Sequence, residues 1–221
     1  MSLPFSQAAE RNKEAIGDAL HELLGAATTV FEFGSGTGQH AAYLCQRFSH
    51  LLWQPSEQQT NLETIKLLID QAGLHNILPP LECDVLQRTL SVASLALPVN
   101  EQSGGDEHRR FSFAFSANTA HIMSVPAVAR MMSIAAELLE PVGIFALYGP
   151  FRYGTAPMAE GNIQFDAMLR EQDAEMGVRD KYELDSFAVA NGMTPIDDLP
   201  MPSNNRILIW QKKEQSKKEQ S

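Results

Sequence analysis

The chain has 221 residues, of which 44% are hydrophobic, 20% charged and 8% aromatic, which favours one ordinary globular domain and excludes collagen-like, disordered and disulfide-stapled classes. Seventeen Lys and Arg against twenty-seven Asp and Glu give a net charge of −10, so the surface repels phosphate backbones and no nucleic-acid partner is expected. Cys45 and Cys83 are too few for a disulfide framework and lack the spacing of a metal site.

At the amino terminus, charges at Glu10, Arg11, Lys13 and Glu14 precede any apolar run long enough for a signal peptide, and no later stretch is long enough to span a membrane. A cytoplasmic protein without a membrane partner, monomeric or homodimeric, is the expectation. From a cap at Ser6, apolar residues at helical spacing run through Ala9, Ile16, Leu20 and Leu24 and predict one helix that stops near Gly25. Thr28 to Phe33 reads as a strand ending in GSGTG, and Ala41 to Phe48 as the helix that follows. A second strand, Leu51 to Trp53, leads into Gln54-Pro55-Ser56-Glu57; a helix with Leu62, Ile65 and Ile69 closes near Gly73, and a short third strand, Leu81 to Cys83, ends at Asp84.

The polar stretch 98–110 has a Gly pair and no periodicity, and predicts a surface loop. Phe111 to Phe115 is a fourth strand. Ser124 caps a helix with Pro126 in its first turn, and Gly143 to Tyr148 is a fifth, apolar strand. Helices near 162–172 and 183–191 and a strand Arg206 to Trp210 complete the domain, and the polar residues 213–221 have nothing to bury and predict a disordered tail.

Strands alternating with helices imply a doubly wound, mostly parallel α/β sheet, whose ligands bind at the carboxyl ends of the strands where strand order reverses. Glu32 and the loop Gly34-Ser35-Gly36-Thr37-Gly38 lie at such a strand end, where missing β-carbons let a ligand touch backbone. The G-x-G-x-G spacing after an acidic residue suits a ligand with an ammonium group better than a pyrophosphate; a tight turn that merely packs helix on strand would carry the same glycines. Glu57 follows the second strand, where a carboxylate can accept from a ribose diol, and Asp84 follows the third, where it can accept from an adenine amino group or cap a helix. Three acidic residues on three successive strand ends together describe a nucleoside carrying an amino acid.

This constellation resembles the class I methyltransferases that use S-adenosylmethionine. The segments AAERNKEAI from Ala8, GSGTGQHA from Gly34, WQPSE from Trp53, SANTAHI from Ser116, LYGPF from Leu147, NIQFDAMLREQD from Asn162, GVRD from Gly177 and MPSNN from Met201 resemble more narrowly the family called domain of unknown function 938, whose animal members are named methyltransferase-like protein 26. Glu57 departs from the Asp usual there. The resemblance implies a Rossmann-like fold with a seven-stranded sheet over 1–212, S-adenosylmethionine as cofactor, and Glu32, Gly34, Ser35, Gly36, Gly38, Glu57, Asp84 and Asn118 around it.

The acceptor end then lies beyond the fourth and fifth strands. His121 could act as general base for an oxygen or nitrogen nucleophile, with Asn118 and Tyr148 beside it; backbone hydrogen bonding of the imidazole and a buried, satisfied Tyr148 hydroxyl are the alternatives. Arg11, Asn12, Lys13 and Arg152 could meet an anionic group, although an ordinary solvated helix face accounts for the first three equally. A small polar molecule is the expected partner. A non-catalytic binding or assembly protein on the same fold is the main rival, and a nicotinamide oxidoreductase is disfavoured by the glycine spacing and by the lack of a Tyr-x-x-x-Lys pair.

Overall fold

The computed structural model of the protein describes residues 5–87 and 110–214. Of the loop expected over 98–110 only Arg110 falls within them, and of the tail expected over 213–221 only Lys213 and Glu214.

In chain order the strands are β1 (Thr29–Phe33), β2 (Leu52–Glu57), β3 (Leu81–Glu82), β4 (Phe111–Ala117), β5 (Leu139–Gly149), β6 (Phe151–Arg152), β7 (Arg179–Asp180), β8 (Met193–Met201) and β9 (Asn205–Lys212). Seven of them form one sheet in the order β3-β2-β1-β4-β5-β9-β8. The first five run parallel, and β9 pairs antiparallel with both β5 and β8. Parallel strands covered on both faces read as continuous apolar runs, as Phe111 to Phe115 does.

The helices are α1 (Gln7–Ala19), α2 (His21–Ala26), α3 (Gln39–Arg47), α4 (Leu62–Ala72), α5 (Val125–Leu138), α6 (Glu160–Gln172) and α7 (Lys181–Ala190). Ile16 of α1 and Leu44 of α3 join Val30, Trp53 and Ile207 in one apolar cluster. Met131 and Met132 of α5 and Leu184 of α7 join Phe31, Phe145 and Trp210 in the other. The sheet therefore carries a core on each face. Its strand order reverses between β1 and β4, and a crevice forms at the carboxyl ends of those two strands.

Three expectations change. The first helix breaks at Leu20 (φ −98°, ψ 9°), giving α1 and α2 instead of one helix to Gly25. Strand β2 continues through Pro55 to Glu57; since the Trp53 N–H points outward to the Asn76 carbonyl, the missing N–H of Pro55 falls on that same side, where pairing with β3 begins only at Ser56. The edge strand β8 has no counterpart among the predicted strands, because Pro195, Asp197, Asp198 and Pro200 lie in it. An edge strand needs a hydrogen-bonding ladder on one side only and tolerates both proline and charge.

Candidate functional site

Gly34 and Gly36 of the loop after β1 both adopt left-handed backbone, with φ of 64° and 57°. A β-carbon on Gly34 would overlap the Thr119 Cγ2 atom in the turn after β4, whereas one on Gly36 would meet nothing within 4 Å. Gly34 thus permits contact across the switch point, and Gly36 keeps the outer face of the loop open. The next glycine, Gly38, is the N-cap of α3.

Glu32 does not reach that open face as expected. It is buried, and its Oε2 accepts 2.8 Å and 3.0 Å hydrogen bonds from Ser35 Oγ and Trp53 Nε1. Burial raises its carboxyl to about 7, against the lowering effect of those two donors. The side chain anchors the loop from inside, and Ser35 spends its hydroxyl on the same bond. Both side chains support the loop from within. The partner Trp53 belongs to the neighbouring strand, opposite Val30 and so two residues behind Glu32 in register, a relationship with no sequence signature.

Glu57 ends β2 half-buried, with Oε2 accepting a 2.7 Å bond from the Gly36 N–H and Oε1 one of 2.8 Å from the Gln58 N–H. Asp84 accepts from the Leu86 and Gln87 N–H groups, so it caps its own turn. The carboxyl ends of β1, β2, β3 and β4 thus present an open glycine backbone, two half-buried carboxylates, and Asn118. Asn118 has φ of 60°, and its N–H donates to the Tyr148 carbonyl. Left-handed backbone in a residue other than glycine is a costly conformation that accumulates at functional sites.

His121 lies in the turn after β4, buried, with its ring edge-on to Phe165 of α6 at 5.0 Å. Burial, and then the charge of Arg179, lower its imidazole to about 4, so it is neutral at pH 7. The turn is clamped by the segment before α7: Gly177 N–H donates to the His121 carbonyl, and the buried Arg179 donates to the carbonyls of Ala120, Met123 and Glu175. Arg179 was not foreseen, since backbone carbonyl partners leave no trace in a sequence.

Tyr148 does not stand with His121 but in the apolar cluster beneath α1 and α3. Burial pushes its phenol up, against a hydrogen bond with Asn12. Asn12 in turn meets His40 Nε2 at 2.7 Å, and burial and the Lys13 charge lower the His40 imidazole to about 4. Arg11, Asn12 and Lys13 therefore do not converge. Arg11 is exposed and reaches Gln7, Lys13 pairs with Glu10 at 2.7 Å, and only Asn12 faces inward. Successive helical residues point about 100° apart, so three in a row cannot share one target.

The amino-terminal helix is nonetheless tied to the loop. Buried Gln39, at the start of α3, accepts from the Ser6 N–H and the Thr37 hydroxyl and donates to Glu10. Beyond β5, a cavity of about 260 Å3 lies between the segment containing Arg152 and the β8–β9 turn. It lies past the carboxyl end of β5, at the same end of the parallel strands as the glycine loop, but does not include the loop among its walls.

Residues 3–212 match the profile of a family described as "Protein of unknown function (DUF938)". Among solved structures, an O-methyltransferase family protein from Burkholderia thailandensis superimposes with a TM-score of 0.74 at 15% identity, covering 94% of this chain and 58% of that one. Human N-acetylserotonin methyltransferase in complex with SAM gives 0.72 at 11% identity, covering 94% and 53%. An O-methyltransferase family 2 protein from Planctomyces limnophilus in complex with apigenin gives 0.63 at 12% identity, covering 90% and 61%. The chain spans little more than half the length of these proteins, and the likeness shows a Rossmann-like methyltransferase fold.

Proposed function

We propose, for a chain that belongs to the family described as "Protein of unknown function (DUF938)", that it is an enzyme transferring a methyl group from S-adenosylmethionine to a small polar acceptor in the cytoplasm. The observation that carries this reading is the meeting of the left-handed glycine loop and the Glu57 carboxylate beside the switch point between β1 and β4. The small molecules in the names of the similar structures support it from outside the chain. No described helix is long and apolar enough to cross a membrane.

The residues present fit the cofactor. The open face at Gly36 leaves room at a position where a β-carbon would project, and Glu57 and Asp84 supply carboxylate acceptors for a ribose diol and an adenine amino group. When bound, S-adenosylmethionine supplies a methyl group on a positively charged sulfur. Glu32 and Ser35 hold the loop in shape, and Asn118, fixed by its bond to the Tyr148 carbonyl, borders the crevice. Neutral His121 can take a proton from an acceptor hydroxyl or amine at its unprotonated ring nitrogen, and the clamp around its turn fixes its place. Arg152 offers charge to an anionic acceptor.

Thermal unfolding tests the reading. At a hundredfold excess over its dissociation constant a ligand adds about 2.7 kcal/mol, and each kcal/mol shifts the midpoint by roughly 2 to 4 °C at this size. S-adenosylmethionine and its demethylated product are expected to raise the midpoint, and the nicotinamide dinucleotides are not. The opposite pattern overturns the assignment in favour of an oxidoreductase.

A further inference from the structure

We infer that the cavity beyond β5 binds an organic monocarboxylate with an apolar body, and, resting on the methyl-transfer reading, that this carboxylate is the handle by which the acceptor is held. Phe151, Tyr153, Met158 and Met201 give the cavity apolar walls, and the guanidinium side chains of Arg152 and Arg206 share its lining. Neither Asp180 nor Asp198, the carboxylates beside these two arginines, lines it.

Both aspartates are already occupied. Asp198 accepts from the Tyr153 hydroxyl at 2.9 and 3.1 Å and from Arg206 Nε at 2.7 Å. Asp180 accepts from the Tyr182 and Gly154 N–H groups, so Arg152 Nε approaches it only to 3.5 Å. Two guanidinium groups, each partly neutralised, suit one negative charge better than two. Arg206 spends Nε and Nη2 on the side chain and carbonyl of Asp198, so its other terminal nitrogen and the planar donors of Arg152 are those a carboxylate would meet.

The far wall is the turn between β8 and β9, where Ser203 and Asn204 adopt left-handed backbone with φ of 59° and 57°. Asn162 of α6 donates to the Asn204 carbonyl at 3.2 Å and Asn205 to the Pro202 carbonyl at 3.1 Å, which holds this turn against the cavity. The left-handed pair makes the tight reversal of the β8–β9 hairpin, and of the two residues only Asn204 lines the cavity. The near wall begins at Phe151, close to His121: a β-carbon on Gly149 would lie 3.8 Å from His121 Nδ1 and 3.7 Å from the Phe151 ring. The motif MPSNN forms the turn on one side of this cavity, and Asp180 of GVRD supports the Arg152 segment on the other from behind.

The test is a nuclear magnetic resonance titration of the full chain with benzoate, phenylacetate and hexanoate, each beside its amide, and with phenyl phosphate. The carboxylates are expected to shift the signals of Asn204, Asn205 and Arg206 to saturation, with the amides at least about tenfold weaker. Arg152→Gln is expected to weaken the carboxylates about tenfold while the thermal shift from S-adenosylmethionine persists. Equal binding of acids and amides, tighter binding of phenyl phosphate, or shifts confined to other residues overturns the assignment. Carboxylate binding at this cavity with no response to S-adenosylmethionine upholds the site and overturns methyl transfer. A response to S-adenosylmethionine with no carboxylate binding overturns the site alone.

Discussion

Glu57 Oε2 accepts a 2.7 Å hydrogen bond from the Gly36 N–H, so the carboxylate assigned to the cofactor's ribose also steadies the loop that the cofactor covers. Binding and loop order are thereby coupled through one side chain. Replacing Glu57 by Ala is expected to weaken S-adenosylmethionine by about 1.5 to 3 kcal/mol, the scale of hydrogen bonds to a charged group. Calorimetric titration reads this directly, and an affinity equal to that of the parent returns Glu57 to an ordinary loop charge.

Gly34 and Thr119 provide a paired test of the switch point. Gly34→Ala adds a methyl group against Thr119 Cγ2 at a φ of 64°, which is expected to cost on the order of 2 to 3 kcal/mol from overlap and backbone strain together. Thr119→Ser removes the colliding methyl and keeps the hydroxyl that meets Ser116 Oγ at 2.6 Å. In that background the cost of Gly34→Ala should shrink to about 1 kcal/mol, the strain alone. Urea unfolding of the four chains measures the coupling, and strictly additive effects contradict the contact.

Glu32 makes a prediction about pH. Its buried carboxyl titrates near 7 instead of the ordinary 4.5, so between these values the folded chain keeps a proton that the unfolded chain releases. Its contribution to stability is complete below pH 4.5 and is lost as pH rises through 7, on the order of 3 kcal/mol in all. Glu32→Gln cannot ionise. The stability of the variant relative to the parent is therefore expected to improve by that amount between pH 4.5 and 7.5. His40 and His121, lowered to about 4, act in the opposite sense, their contribution being present above 6.5 and lost as pH falls through 4. Subtracting one chain from the other cancels them. A difference that stays flat with pH refutes the buried, proton-holding carboxyl.

His121 is expected to act as a neutral base across the physiological range. His121→Asn should lower label transfer from methyl-labelled S-adenosylmethionine into a small-molecule extract by about 10² to 10⁴ and leave cofactor binding intact. The acid limb of the parent's rate profile should fall near pH 4, following the lowered imidazole. A limb at 6.5, or an Asn variant of full activity, removes the base from the reaction.

The legible parts of this fold were those that repeat a physical rule over many residues. The buried strands Phe111 to Phe115 and Gly143 to Tyr148 announce themselves as unbroken apolar runs. Strand β8 did not, because its prolines and aspartates are compatible with an edge and equally with a loop. At the strand ends, the sequence was enough to bring Glu57 and Asn118 to the crevice, since topology alone places such positions there. Direction was another matter. Whether Glu32 faces outward or toward Trp53, and which of Arg11, Asn12 and Lys13 faces inward, is decided by register and helical phase against neighbours far away in sequence.

Strand β9 lies inside the sheet between β5 and β8, although it follows both in the chain. A growing polypeptide therefore completes β5 and β8 before the strand that joins them exists. Until residues 205–212 leave the ribosome, β5 shows an open edge to any passing strand, a template for aggregation. Lys212, the last residue of β9, then donates to the carbonyls of Ala136 and Leu139 at the end of α5. Insertion of one late strand closes the edge and the helix end together, so a nascent chain stalled just short of it carries nearly every residue of the site with half of the sheet unsealed.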